Sequence, residues 1–229
     1  MNPGAIRYAS ACRVRLLLIS IQRVTAVPPE GFGGLPGERI IFAVIMPSAR
    51  YALVTYVKDP VGEFVERLRK ELHPELPHLA AHVTLLPPRN LHGTEKEAED
   101  VLAEVCSEVE PFEVSMGEVE TFIPATPTVF IRVGHEAYRM RELHDRLNRG
   151  ALLNREEWNY MPHLTIAKMS TEEQAQHAYL VARRKWTRYE GSRCIQVRAL
   201  TFVREEAANH WVDLAGLPLG RSLVSRLDG

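Results

Sequence analysis

His82-Val83-Thr84-Leu85 and His163-Leu164-Thr165-Ile166 read alike: in each, a His and a Thr stand two positions apart with apolar residues between and after them. Successive side chains of an extended strand face opposite ways. Val83 and Leu85 therefore predict a buried face, and His82 and Thr84 share the other; Leu164, Ile166, His163 and Thr165 divide in the same manner. With 9 His in 229 residues, chance supplies only ~0.1 apolar-flanked His-x-Thr matches, so two copies read as an internal repeat. If the copies face each other, they enclose two imidazoles and two hydroxyls. That is a set of groups suited to acid/base chemistry on a phosphate.

Outward from these strands the pattern alternates. Residues 51–57 read as a strand, and Pro60 opens an amphipathic helix with Val61, Phe64, Val65, Leu68 and Leu72 at helical spacing. Residues 81–86 form the first motif strand, which Pro87 and Pro88 are expected to stop. Thr94 and Glu97 predict a capping box for a helix to Ser107. Residues 112–123 and 128–133 read as two strands, 136–149 as a helix ended by Gly150, and 160–168 as the second motif strand. A helix from Thr171 and a hairpin of residues 194–204 and 211–214 complete the chain. The order predicts an α+β protein of two similar lobes.

Composition sets limits. The chain is 45% hydrophobic and 25% charged with a formal net charge of −1, which suits a soluble globular protein and argues against broad electrostatic adhesion to nucleic acid. Three cysteines, Cys12, Cys106 and Cys194, form no C-x-x-C pair, as expected for a reducing cytoplasm without structural zinc. No apolar run reaches the length of a membrane span. Residues 1–45 turn Pro- and Gly-rich after a short apolar stretch and are expected to be a poorly ordered or non-native extension, with Met46 as a candidate start and 46–229 as the functional domain.

Two H-h-T-h motifs in a chain of this size and element order resemble the 2H phosphoesterase superfamily, which includes the bacterial 2'-5' RNA ligases and RNA 2',3'-cyclic phosphodiesterases. The resemblance spans about residues 51–214. It implies two pseudo-symmetric lobes, each an antiparallel sheet with flanking helices, around a central cleft lined by His82, Thr84, His163 and Thr165 as the catalytic quartet. Lys168 stands where RNA-directed members of the family often carry Arg, and supplies a charge without the forked geometry of a guanidinium.

The residue types support a mechanism. Histidine, with a pKa near 6.5, is the side chain that can be neutral in one copy and protonated in another near neutral pH. One imidazole would deprotonate the attacking water or ribose hydroxyl, the other would protonate the departing oxygen, and Thr84 and Thr165 would donate to the non-bridging oxygens. Arg89 and Lys168, just past the motif strands, are candidates to neutralise the phosphate, and Tyr160 or Trp158 to stack on a base. No cofactor and no metal is expected, since neither motif has a companion ligand at a metal-binding offset. The expected activity is hydrolysis of a 2',3'-cyclic phosphate or related 2'-5' phosphodiester, the partner an RNA terminus or small cyclic nucleotide, and the state a monomer. A metal-dependent phosphohydrolase and a non-catalytic RNA-end binder are the rival readings.

Overall fold

The computed structural model describes residues 49–58, 60–73, 79–207 and 210–220. The expectations for residues 1–45 and for a start at Met46 lie outside them. The predicted first strand is β1 (Arg50–Tyr56), followed by α1 (Pro60–Leu72), whose Val61, Val65 and Leu68 are buried. Next come β2 (His82–Arg89) and α2 (Glu95–Glu108). Thr94 caps α2 as predicted: its hydroxyl accepts from the Glu97 N–H, and the Glu97 carboxylate accepts from the Thr94 N–H at 2.8 Å. Such a box stabilises a helix by about 1 kcal/mol. Then follow β3 (Phe112–Thr121), β4 (Thr128–Val133), α3 (Ala137–Leu147), β5 (His163–Lys168), α4 (Glu172–Thr187), β6 (Cys194–Val197), β7 (Ala199–Ala207) and β8 (His210–Pro218).

Two boundaries differ from expectation. Pro87 and Pro88 do not stop β2, which continues to Arg89. The registered pair between β2 and β5 is Val83 with Leu164, and the β1 pairing is irregular beyond Leu86; prolines are tolerated where a ladder requires no N–H. The second difference is a break at Arg198. In place of one strand over residues 194–204 there are two, and β6 joins β3 while β7 joins β1 and β8.

All strand pairs are antiparallel, and the eight strands form one sheet in the order β6-β3-β4-β5-β2-β1-β7-β8. The two lobes expected from the repeat are thus two four-stranded halves of a single sheet, curled into a half-barrel. β2 and β5 meet at its centre. One face carries the main core, which holds all the buried apolar residues of the four helices together with Leu53, Val83, Leu85, Leu164 and Ile166 from the central strands. On the other face Ala52, Val54 and Val203 form a small separate cluster under Tyr56, Leu79 and Trp211. No helix of the described residues is long and apolar enough to cross a membrane.

Candidate active site

The meeting of β2 and β5 sets the geometry. Val83 and Leu164 are direct partners, and both are completely buried against the helices. Antiparallel alternation then sends their neighbours to the opposite face, with His82 across from Thr165 and Thr84 across from His163. The four residues form a compact group around the local two-fold axis of the strand pair. All four are partly buried, and neither threonine hydroxyl has a hydrogen-bond partner among the described residues.

Both imidazoles are held in the same way. The Nδ1–H of His82 donates to the carbonyl of Ala80, and that of His163 to the carbonyl of Met161, each at 2.7 Å and each two residues upstream. A carbonyl only accepts, so the proton is fixed on Nδ1 and the neutral ring keeps a bare Nε2 for chemistry. The approach to His82 is pinned from α1, where Glu66 accepts from the Ala81 N–H and Arg69 donates to the Leu79 carbonyl at 2.9 Å. Burial lowers the His82 pKa to about 4, with Arg69, Lys168 and His163 adding in the same direction against the Ala80 carbonyl. Burial and Lys168 lower that of His163 as well, against the Met161 carbonyl.

A repeated irregularity decides which cations reach the site. The β1–β2 register shifts between Val54, opposite Thr84, and Leu53, opposite Leu86; the β4–β5 register shifts between Phe130, opposite Thr165, and Val129, opposite Ala167. Each bulge falls directly after the motif threonine, at Leu85 and Ile166. One extra residue reverses the facing of everything beyond it. Lys168, which strict alternation would bury, is therefore exposed on the histidine face, without a hydrogen-bond or ion-pair partner among the described residues.

Arg89 is the opposite case and corrects the expectation. A second shift, between Leu53 and Tyr51, turns Arg89 to the core face, where it is 3% exposed. Its guanidinium donates to Asn148 Oδ1 at 2.8 Å, the Leu152 carbonyl at 2.9 Å and the Pro87 carbonyl at 3.0 Å, and pairs with Glu156 at 2.6 Å. Four of its five N–H groups are thus taken inside the protein, on the core face and away from the histidines. Arg89 braces the segment that leads into β5.

Tyr160 is likewise taken up by the protein. Its ring stacks on His144 at 4.2 Å, and its hydroxyl donates to the Thr84 carbonyl at 2.8 Å. It ties the approach to one motif to the backbone of the other, and His144 covers one face of its ring. Trp158 remains 73% exposed.

Sequence reasoning missed several neighbours. Phe122 and Phe130 both set their rings at 5.1 Å from that of His163, and Arg132 is its register partner on β4. Tyr56, the β1 partner of His82, donates to Asp213 at 2.5 Å. Alternation around the motifs is readable from the residues alone, but which strands flank them is not. Among the described residues no group of three or more His, Cys, Asp or Glu stands ready to hold a metal.

Known proteins share this arrangement of elements. The chain is similar to the structure of Escherichia coli LigT complexed with NADP+ (TM-score 0.53, 14% identity, covering 76% of this chain and 99% of that one) and to TT0787 of Thermus thermophilus (TM-score 0.52, 16% identity, 76% and 100%). Relatives by sequence carry provisional phosphoesterase names: one from Oceanobacillus iheyensis is 26% identical over 120 residues, 52% of this chain and 70% of that protein, and one from Halalkalibacterium halodurans is 27% identical over 121 residues, 52% and 69%. The sequence profile of the 2'-5' RNA ligase superfamily matches residues 57–209, a span that contains both motif strands, and the chain belongs to that superfamily.

Proposed function

We propose that the chain is a phosphoesterase that opens a 2',3'-cyclic phosphate, or a related 2'-5' phosphodiester, at an RNA end or on a small nucleotide. The observation that carries the reading is the matched pair of imidazoles, each fixed at Nδ1 by a carbonyl and each beside an unpartnered threonine hydroxyl across one strand junction. In-line displacement puts the attacking and leaving oxygens on opposite sides of phosphorus, and a two-fold arrangement supplies a proton-transfer group for each. His82, whose protonation burial opposes, takes the proton of the attacking water through Nε2. His163 gives a proton to the departing ribose oxygen and regains one from solvent. Its protonation is favoured once the bound phosphate offsets Lys168. Thr84 and Thr165 donate to the non-bridging oxygens, and Lys168 balances their charge. Every step uses this chain's own side chains. The crystal structures of LigT with NADP+ and with 3'-AMP are nucleotide complexes of a protein of this fold, which supports a nucleotide as substrate.

The test is incubation of the full chain, without added metal, with nucleoside 2',3'-cyclic monophosphates and short RNAs ending in a cyclic phosphate, followed by phosphorus NMR. The expected result is replacement of the cyclic-phosphate resonance by a phosphomonoester resonance. Retarded migration of a labelled RNA with an unchanged terminus would instead establish a binding module.

A further inference from the structure

Each histidine leans on one carbonyl, and the peptide groups that carry those two carbonyls are not alike. The Ala80 carbonyl, which accepts from the Nδ1–H of His82, belongs to the same peptide group as the Ala81 N–H. That N–H donates to Oε1 of Glu66 on α1. The Met161 carbonyl, which accepts from His163, shares its peptide group with Pro162, which has no N–H to give. A carboxylate, a peptide group and an imidazole therefore stand in line behind His82, and the sequence forbids the same line behind His163.

Glu66 is held where the line needs it. Its Oε1 also accepts from Arg69 Nη1 at 2.8 Å, one helical turn further on, and Arg69 Nη2 donates to the Leu79 carbonyl at 2.9 Å. Arg69 is buried, and Ala81 is 1% exposed with its own carbonyl taken by the Val57 N–H at 2.8 Å. The 80–81 peptide group is thus fixed between α1 and the end of β1.

A peptide group transmits polarisation. A negative charge at its N–H favours the resonance form with a positive nitrogen and a negative oxygen, so a bond accepted by that oxygen strengthens, by roughly 10–30% per bond in such chains. An imidazole whose Nδ1–H rests on a more negative acceptor takes a proton at Nε2 more readily, because the charge of the imidazolium spreads over both nitrogens. We propose that Glu66 is a positioning residue for the reaction: through the Ala80–Ala81 peptide group it orients His82 and raises its basicity, which gives His82 rather than His163 the part of proton acceptor. This inference rests on the cyclic-phosphate reading above. The other charged groups that face His82 are Arg69 from α1 and Lys168 and His163 from β5, all of which oppose its protonation, with Tyr56 of β1 alongside and bonded to Asp213 of β8. Glu66 works against that opposition.

The experiment replaces Glu66 by Gln in the full chain. The Gln carbonyl oxygen still accepts from the Ala81 N–H, so the geometry stays and the charge goes. In proton NMR the Nδ1–H resonance of His82 is expected to move upfield while that of His163 stays in place, with circular dichroism unchanged. On a nucleoside 2',3'-cyclic monophosphate, kcat should fall about three- to tenfold with KM little changed, and the acid limb of the kcat–pH profile should move to lower pH. Glu66→Ala, which removes the hydrogen bond as well, should shift the same readings further. An unmoved His82 resonance, or equal movement at both histidines, would overturn the relay. A moved resonance with kcat and the acid limb unchanged would overturn the part given to His82. If the unaltered chain opens no cyclic phosphate, the chemical reading fails, and the two Nδ1–H resonances still decide the relay.

Discussion

The two halves of the sheet carry the same motif and surround it differently. In each, the His and Thr lie on a central strand that bulges directly after the Thr, and each His Nδ1–H is bonded to a carbonyl two residues upstream. Around that shared frame, one half sets His82 beside Tyr56, Asp213 and a small apolar cluster, while the other sets His163 beside Phe122, Phe130, Arg132 and Lys168. The position five residues after the His is Lys168 in one half and Pro87 in the other. On the proposed reading the repeat would supply a symmetric pair of proton-transfer groups, and the departures from it would decide how a substrate is charged and oriented.

The symmetric part is broken most severely at the histidines. His82→Ala and His163→Ala should each reduce kcat/KM for a cyclic phosphate by about 10²- to 10⁴-fold, with circular dichroism unchanged because both side chains stand on the face away from the main core. The double variant should cost far less than the product of the two, since either loss alone disables one concerted transfer. A variant that kept near-normal turnover would show that the two halves are not equivalent in the way their geometry implies.

The asymmetric part is weaker and salt-sensitive. Lys168→Ala should raise KM about tenfold in dilute buffer, and the difference should shrink as salt rises from about 0.05 M to about 0.5 M, because an exposed ammonium acts as a screened point charge. Lys168→Arg should restore most of the loss. An effect indifferent to salt would mean that Lys168 acts through packing.

A smaller effect tests the junction between the halves. β2 and β5 share a single registered pair, and the Tyr160 hydroxyl supplies a second tie by reaching the Thr84 carbonyl. Tyr160→Phe keeps the stack on His144 and removes only that bond, so kcat should fall about three- to tenfold with KM little changed. Amide exchange should quicken at residues 83–84 and 163–165 and stay the same in α4. Uniformly faster exchange would mean that Tyr160 stabilises the fold at large.

Much of this is legible in the residues, for identifiable reasons. The quartet can be read because period-two alternation acts over four residues and needs no knowledge of neighbours; the capping box at Thr94 is equally local. Arg89 and Lys168 look equivalent as cations just past their motifs, yet one is buried behind β2 and the other exposed on the histidine face. The difference lies in bulge count, two shifts along β2 against one along β5, and a bulge is set by the partner strand. Tyr160 escapes such a reading because its partners, His144 and the Thr84 carbonyl, arrive by tertiary folding. Pairing of β6 and β7 with opposite halves also depends on long-range order, and a break at one residue, Arg198, leaves little trace in composition.

The smallest effect is on stability, and it is read without any substrate. His82 has an ordinary pKa of 6.5 when the chain is unfolded and about 4 when folded. Between those values the unfolded chain binds the proton and the folded chain does not, so stability rises with pH across the window and is lost as pH falls from 6.5 towards about 4. The contribution is at most about 3 kcal/mol, because each tenfold change in proton affinity is worth ~1.4 kcal/mol. His82→Gln should therefore leave the melting temperature near that of the unaltered chain at pH 8 and exceed it increasingly down to about pH 4, with no further divergence below. His163→Gln should show the same trend, because burial and Lys168 oppose protonation there as well. A melting temperature that tracked the unaltered chain at every pH in either variant would mean that folding does not oppose protonation of that imidazole.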